Sequence, residues 1–133
     1  MLDALGPDRL RAEIRLRASD PYLLTVTSSG RPHCGTVSVA WDAGRGPLAV
    51  SPVPHTWADS EAAGYRQVTL LWPPAEPGGY SLIVDGTGTG ARAEAGDDPA
   101  LVVTVSRAVL HRRGSAPAGG SSACGSDCVP LIG

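Results

Sequence analysis

The sequence predicts a mainly β protein, built as a small antiparallel barrel with one or two short helices. Two observations support this. Short runs dense in β-branched and aromatic residues suit a pleated, half-buried surface. Turn formers separate these runs, and the 133 residues include 17 Gly and 12 Pro. Strand after strand joined by short turns favours a barrel, because a barrel leaves few strand edges exposed.

A short helix is predicted near the N-terminus, before the first strand. Pro7 suits the first helical position and Asp8 the first turn. Leu10 and Ile14 are spaced to share its apolar face. The helix should end before Pro21, because the residue preceding a proline is pushed out of the α region. The basic residues expected on its solvated face are Arg9, Arg11 and Arg15.

The strands and one further helix follow in order. Gly30 and Pro32 form a tight turn between the first two strands. A second helix is predicted from Thr56, with Asp59 completing a capping box, to Gly64. A second turn is predicted at 42–46. The predicted strands are 22–28, 34–42, 47–52, 66–72, 79–86, 88–95 and 100–112.

Length and composition indicate a single domain at 1–113 and a C-terminal tail at 114–133. A chain of 133 residues can bury one core. From about Gly114 the sequence is small, polar and rich in Gly, Ser and Pro. This composition predicts a flexible tail that lies on a partner subunit.

Charge and hydropathy exclude several classes of function. The net charge of −2 gives no reason to expect binding to nucleic acid or to an anionic membrane. The N-terminal region has charges throughout and no long apolar core, so neither a secretory signal nor a membrane span is predicted. We therefore expect a cytoplasmic protein. Its 3 cysteines, an odd number, argue against a disulfide framework there.

The two cysteines of the tail allow three interpretations. Cys124 and Cys128, with Asp127 and His111 as further ligands, would suit a soft metal. A reversible, redox-sensing disulfide is the second interpretation, and two exposed thiols are the third. We favour the exposed thiols, because the Cys-x3-Cys motif has no second pair of ligands. No metal site is predicted.

Several motifs occur in an order that resembles one known family. A strand and a Ser-Gly turn lead into Arg31-Pro-His33 and a strand that ends in Val39-Ala-Trp41. QVTLLW at 67–72, YSLIVDG at 80–86 and VSRAVLHR at 105–112 follow. Over about residues 8–113 this resembles the pyridoxamine 5'-phosphate oxidase-like family. The resemblance implies a split β-barrel, with a flavin or deazaflavin bound at a homodimer interface.

The resemblance also implies which residues contact the cofactor. The strand at 36–41 would run beside the isoalloxazine ring, and the region from Ser51 to the second helix would hold the phosphate. A helix N-terminus suits a phosphate because its backbone N–H groups are free. The residues implied are Arg31, His33, Val37, Val39, Trp41, Ser51, His55, Thr56 and Arg66.

One departure from the family pattern keeps the identity of the cofactor open. No Arg or Lys occurs between Ser51 and Gly64, where Asp59 and Glu61 are found instead. Carboxylates near a phosphate weaken its binding. Coenzyme F-420 and haem therefore remain beside FMN as possible cofactors.

Two functions are carried forward from the sequence. The first is an FMN- or F-420-dependent oxidoreductase of this family, a homodimer acting on a small-molecule substrate. Its cofactor would carry the hydride chemistry, so no catalytic side chain is assigned. The alternative is a cofactor-poor binding protein for haem or a hydrophobic ligand, in a groove lined by Trp41, Trp57 and Trp72. His55 or His111 would then be the axial ligand of haem.

Overall fold

The structure, a computed structural model, describes residues 6–17, 19–26, 29–41, 48–51, 66–91, 100–114 and 126–133. Within them lie one helix and eight strands, and the prediction of a mainly β fold is confirmed. The elements are α1 (Pro7–Arg15), β1 (Tyr22–Val26), β2 (Pro32–Thr36), β3 (Ser38–Trp41), β4 (Leu48–Ser51), β5 (Arg66–Trp72), β6 (Ser81–Ala91), β7 (Ala100–Arg113) and β8 (Ser126–Ile132).

The strands form one antiparallel sheet in the order β2-β1-β5-β6-β7-β4-β3, with β8 also paired to β7. One edge of β7 pairs with β6, and the other edge pairs with two strands. Strand β4 pairs with the first half of β7, and β8 pairs with the second half of β7. Strands β2 and β3 are at opposite ends of this order, although only Val37 separates them in the chain. The sheet therefore curls into a half-barrel whose two ends meet at residues 32–41, which we call the seam.

The core lies on the concave face of this sheet. Alternating residues of β5 and β6 point into it, as expected when one face of a strand is buried. Burying each such aliphatic side chain stabilises the fold by roughly 1.5–3 kcal/mol. The core residues with 0% exposure on the strands are Leu48, Val50, Leu70, Leu82, Val84, Leu101, Val103 and Ala108.

Helix α1 packs against this core, and it ends before Pro21 as predicted. Leu10 is fully buried in the core cluster, and the helix contacts β8. Arg11 does not lie on a solvated face as predicted. Its guanidinium carbon is 4.8 Å from the centre of the Trp41 ring. The cation–π attraction, with the apolar stem covering the ring, accounts for this position.

Two predictions about individual strands were wrong. The predicted strand at 34–42 is divided into β2 and β3, because the Val37 N–H donates to the carbonyl of Pro21 (3.1 Å) where the chain passes between the two ends of the sheet. The predicted strands at 79–86 and 88–95 are one strand, β6, as far as Ala91. Gly86 permits close approach to β7 instead of ending a strand.

The prediction of a flexible tail was wrong for residues 126–132, which form β8 on the second half of β7. Leu131 is 4% exposed within the core cluster, and Val129 and Ile132 pack against it. The prediction of a flexible tail rests on the Gly/Ser-rich stretch that precedes these apolar residues, and it does not take the apolar residues themselves into account. Proline has no N–H to donate to a neighbouring strand. Pro130 is tolerated because β8 pairs, among the described strands, only with β7.

Other predictions lie outside the described residues. These are the turn at 42–46, the helix at 56–64, residues 92–95 of a predicted strand, His55, Thr56, Trp57 and Cys124. In the part of the chain that the structure describes, no helix is long and apolar enough to cross a membrane.

Candidate functional site

The seam begins with an exposed edge strand. All five residues of β2 are exposed, and among the described strands β2 ends the order and pairs along one edge only. The turn before it contains Gly30 at φ +84°, in the left-handed region that the sequence predicted for this glycine. His33 is opposite Thr25, and Gly35 is opposite Leu23. Since directly opposed residues project to the same face, His33 and Gly35 share the inward face of β1.

A cavity of about 180 Å³ lies along this inward face. Its apolar surface includes Leu23, which is 2% exposed, and Val37, which is 5% exposed. Its polar lining residues are Thr25, His33, Cys34 and Thr36, of which Thr25 and His33 are on the inward face. A Cβ built on Gly35 would meet no atom within 4 Å, so there is open space above this part of β2. The cavity can accept the edge of a flat, mainly apolar group that also needs one or two hydrogen bonds.

The structure places the predicted strand residues on one face, but that face points towards the core. Val37 is buried, and Val39 and Trp41 are half-buried and pack against the core cluster. Trp41 is also covered by Arg11. Of these three side chains, only Val37 lines the cavity. On β3 it is Ser38 and Ala40 that are exposed.

The other predicted site residues are distributed along the seam and beyond it. Arg31 directly precedes β2 and is exposed, two residues from His33. Ser51 ends β4 and is opposite Ser38 of β3. The backbone of Arg66 begins β5, but its side chain is outside the described part of the chain, as are His55 and Thr56. The structure therefore brings His33 and Val37 together in one cavity, with Arg31 two residues before His33, and it places Ser51 on the neighbouring β3–β4 pair.

The described residues match only part of the cofactor that the resemblance implies. The cavity and its polar groups fit one edge of an isoalloxazine ring. Its volume of about 180 Å³ is below the range of about 300–1,000 Å³ found for most small-molecule sites. A complete cofactor needs further walls, and the exposed edge of β2 is where a second chain can supply them.

Sequence reasoning missed a polar cluster around Asp85 on the outer face of the sheet. The Thr69 hydroxyl donates to Asp85 Oδ1 (2.7 Å), and Arg107 forms an ion pair with Oδ2 (3.5 Å). Ser106 Oγ donates to the Asp85 backbone carbonyl (3.2 Å), beside a shift in the β6–β7 register. The cluster borders an outer groove of about 460 Å³. In the sequence, the one indication of this cluster is Asp85, a single carboxylate within an apolar strand.

The outer groove and the seam share the hairpin formed by β1 and β2. Pro32 and Val26 line the groove, and Val26 is 56% exposed. Because both oxygens of Asp85 have partners, the cluster fixes a carboxylate in place. Among the described residues, no group of three or more His, Cys, Asp or Glu side chains is arranged to hold a metal ion.

Comparison with known proteins identifies close relatives in mycobacteria. The chain is 40% identical over 117 residues to "Uncharacterized protein Mb0449c" of Mycobacterium bovis and, to the same extent, to "Uncharacterized protein MT0457" of Mycobacterium tuberculosis. Each match covers 81% of this chain and 82% of the relative. No family model matches the chain, and no solved structure matches it. Identity of this extent over most of both chains means that the protein belongs to the family of these mycobacterial proteins.

Proposed function

We propose that the protein is a cytoplasmic oxidoreductase that binds FMN or coenzyme F-420 at the seam of a homodimer and acts on a small molecule. The observation that carries this proposal is the cavity beside the open edge of β2, where Thr25, His33 and Val37 meet. The resemblance of residues 8–113 to flavin-binding split barrels supports it, as does the half-barrel architecture.

A second copy of the chain would complete the site. Unpaired strand edges invite pairing with another chain, and proteins normally cover them. Strands β2 and β3 end the strand order and meet at the seam. A partner placed against β2 would cover its exposed residues and add walls to a cavity that is too small for a whole flavin. Dimerisation and cofactor binding are therefore proposed as one event.

The residues of the seam have distinct roles in this proposal. Leu23 and Val37 would contact the flat ring, while Thr25 and His33 would hydrogen-bond its polar edge. Arg31, exposed next to β2, would attract the negatively charged part of the cofactor. When bound, the flavin or deazaflavin supplies the hydride chemistry, and the protein supplies orientation and electrostatics.

The proposal is tested by titrating the purified protein with FMN, coenzyme F-420 and haem, following the visible absorption spectrum. We expect saturable binding of FMN or F-420. Arg31→Ala should raise its dissociation constant about tenfold, because a hydrogen bond to a charged group contributes about 1.5–3 kcal/mol. His33→Ala should raise it about two- to tenfold, because an ordinary hydrogen bond contributes about 0.5–1.5 kcal/mol. Arg15→Ala, which removes an exposed arginine from α1, is the matched control and should bind as the wild type does.

Three results would decide against this function. Wild-type protein that binds neither FMN nor F-420 contradicts it directly. Equal binding by Arg31→Ala, His33→Ala and the control would show that the cofactor binds at a place other than the seam. Saturable binding of haem alone, with an intense haem band, would support the alternative of a haem-binding protein.

A further inference from the structure

A separate cleft of about 610 Å³ opens where the loop between β5 and β6 meets the end of β7. The loop contributes Gly78 and Gly79, β6 contributes Ser81, and β7 contributes three consecutive basic residues at 111–113. None of the residues that line this cleft lines the seam cavity. The cleft is therefore independent of the proposed function.

The charge of the cleft is positive. Its described lining contains no Asp or Glu, whereas His111, Arg112 and Arg113 all border it. The guanidinium carbon of Arg112 is 4.4 Å from the centre of the Tyr80 ring. An aromatic face orients a guanidinium by cation–π attraction without neutralising its charge.

The strand register places three of the polar lining residues on one face of the sheet. Side chains two positions apart on a strand project in the same direction, so His111 and Arg113 do so. Ser81 is opposite His111 in the register, and its hydroxyl therefore lies on the same face. A turn at 76–79 forms the other wall, closed by the Gly79 N–H donating to the Glu76 carbonyl (2.9 Å).

Glycine keeps that wall open. Gly78 has φ +79°, a conformation that side chains disfavour, and a Cβ built there would meet no atom within 4 Å. A ligand can therefore approach the backbone of the loop closely. The Arg113 guanidinium, the His111 imidazole and the Ser81 hydroxyl on one face, beside an open glycine wall, are suited to an anion with several acceptor oxygens.

We propose that this cleft binds the phosphate group of a small metabolite. Arginine is suited to phosphate because its planar guanidinium offers two parallel N–H donors. The volume falls within the range of about 300–1,000 Å³ typical of small-molecule sites, so the cleft also accommodates the organic part of the ligand.

The proposal is tested by calorimetric titration of the full chain with sodium pyrophosphate. The informative variant is Arg112→Gln combined with Arg113→Gln. Its control combines Arg15→Gln with Arg107→Gln, which removes the same two charges from exposed positions outside the cleft. We expect the first pair to raise the dissociation constant about tenfold or more, since charge-assisted hydrogen bonds are lost. The control should remain within about twofold, as expected for surface charges that act only through screening.

A second measurement locates the ligand without any substitution. In ¹H–¹⁵N spectra of the wild type, pyrophosphate should shift the amide signals of Gly78, Gly79 and Ser81. Absence of both heat and shifts would overturn the proposal. So would equal weakening in the two double variants, because the effect would then reflect net charge alone. A DNA oligonucleotide that binds more tightly than pyrophosphate, and in proportion to its length, would overturn the assignment to a small molecule.

Discussion

Residue 86 must be glycine because the neighbouring strand β7 leaves no space for a side chain. A Cβ at this position would lie 2.5 Å from the Thr104 carbonyl oxygen and 2.7 Å from a methyl carbon of Val103. The β6–β7 register shifts beside it, between Asp85 and Gly86. The two strands can come this close at the bulge only because residue 86 has no side chain.

Gly86→Ala should therefore lower the free energy of unfolding. We expect a loss of about 1–3 kcal/mol, because the added methyl group forces the backbone of β7 to move. Gly35→Ala is the matched control, since its Cβ would meet no atom within 4 Å. That change should alter stability by no more than about 0.5 kcal/mol, the range of most surface substitutions. Urea denaturation measures both, and equal effects of the two substitutions would contradict the steric explanation.

The polar partners of single residues were the part of the structure least accessible from sequence. Thr69 and Asp85 are 16 residues apart, and their hydrogen bond depends on the register between β5 and β6. The same is true of the basic cleft, which needs the end of β7 beside the loop after β5. By contrast, the local conformation of Gly30 was predicted correctly, because a tight turn determines it within a few residues.

Glu13 of helix α1 pairs with two arginines, and one of them also contacts the chain next to the sheet. Glu13 pairs with Arg9 (3.0 Å) and with Arg17 (3.1 Å), but the two arginines differ in exposure. The Arg9 side chain is 39% exposed and that of Arg17 is 5% exposed. Arg17 also donates to the backbone carbonyls of Glu13 (2.7 Å) and Tyr80 (2.8 Å). Arg17 thus links the helix to the start of β6.

Arg17→Gln and Arg9→Gln should differ strongly in their effect on stability. Losing Arg17 leaves Glu13, which is 11% exposed, without its buried partner. Because Glu13 keeps its pair with Arg9, the cost is that of lost charge-assisted hydrogen bonds, about 1.5–3 kcal/mol of unfolding free energy. Losing Arg9 removes a surface pair, which contributes about 0–1 kcal/mol. Chemical denaturation of both variants checks this difference, and similar costs would show that Arg17 does not anchor the helix.

Elements with strong local signals were predicted well. Helix α1 begins at Pro7 as predicted, and strands β1, β4, β5 and β7 lie within two residues of their predicted ends. The failures are at positions where pairing decides the structure. The break at Val37 depends on β2 pairing with β1 while β3 pairs with β4. Strand β8 depends on a free stretch of β7, which no local pattern reveals.

For the whole molecule, the sequence predicted the type of architecture but not the order of the strands. Turn signals and strand count favoured an antiparallel barrel, and the structure is a curled antiparallel sheet. Its order places two consecutive strands, β2 and β3, at opposite ends. That arrangement comes from contacts between distant residues, such as Leu48 with Val103 and Leu23 with Leu70. It leaves an open edge on which the proposed dimer depends.

Cys34→Lys should separate the proposed dimer into monomers. A lysine on an open strand resists pairing with another edge, because its charge would have to be desolvated. Ala12→Lys, on an exposed position of α1, is the control and should leave the dimer intact. Sedimentation velocity distinguishes the two states. A wild type that sediments as a monomer at all concentrations would contradict the dimer, and a dimeric Cys34→Lys would place the interface away from β2.

The contact between α1 and β8 has a consequence for how the protein is made. Leu10 and Leu131 belong to the same buried cluster, although they are at opposite ends of the described chain. During translation α1 emerges long before β8, so Leu10 lacks part of its final surroundings until residue 131 has been added. A nascent chain that stops before β8 would expose the second half of β7, and such edges promote aggregation. Complete folding must therefore follow synthesis of β8.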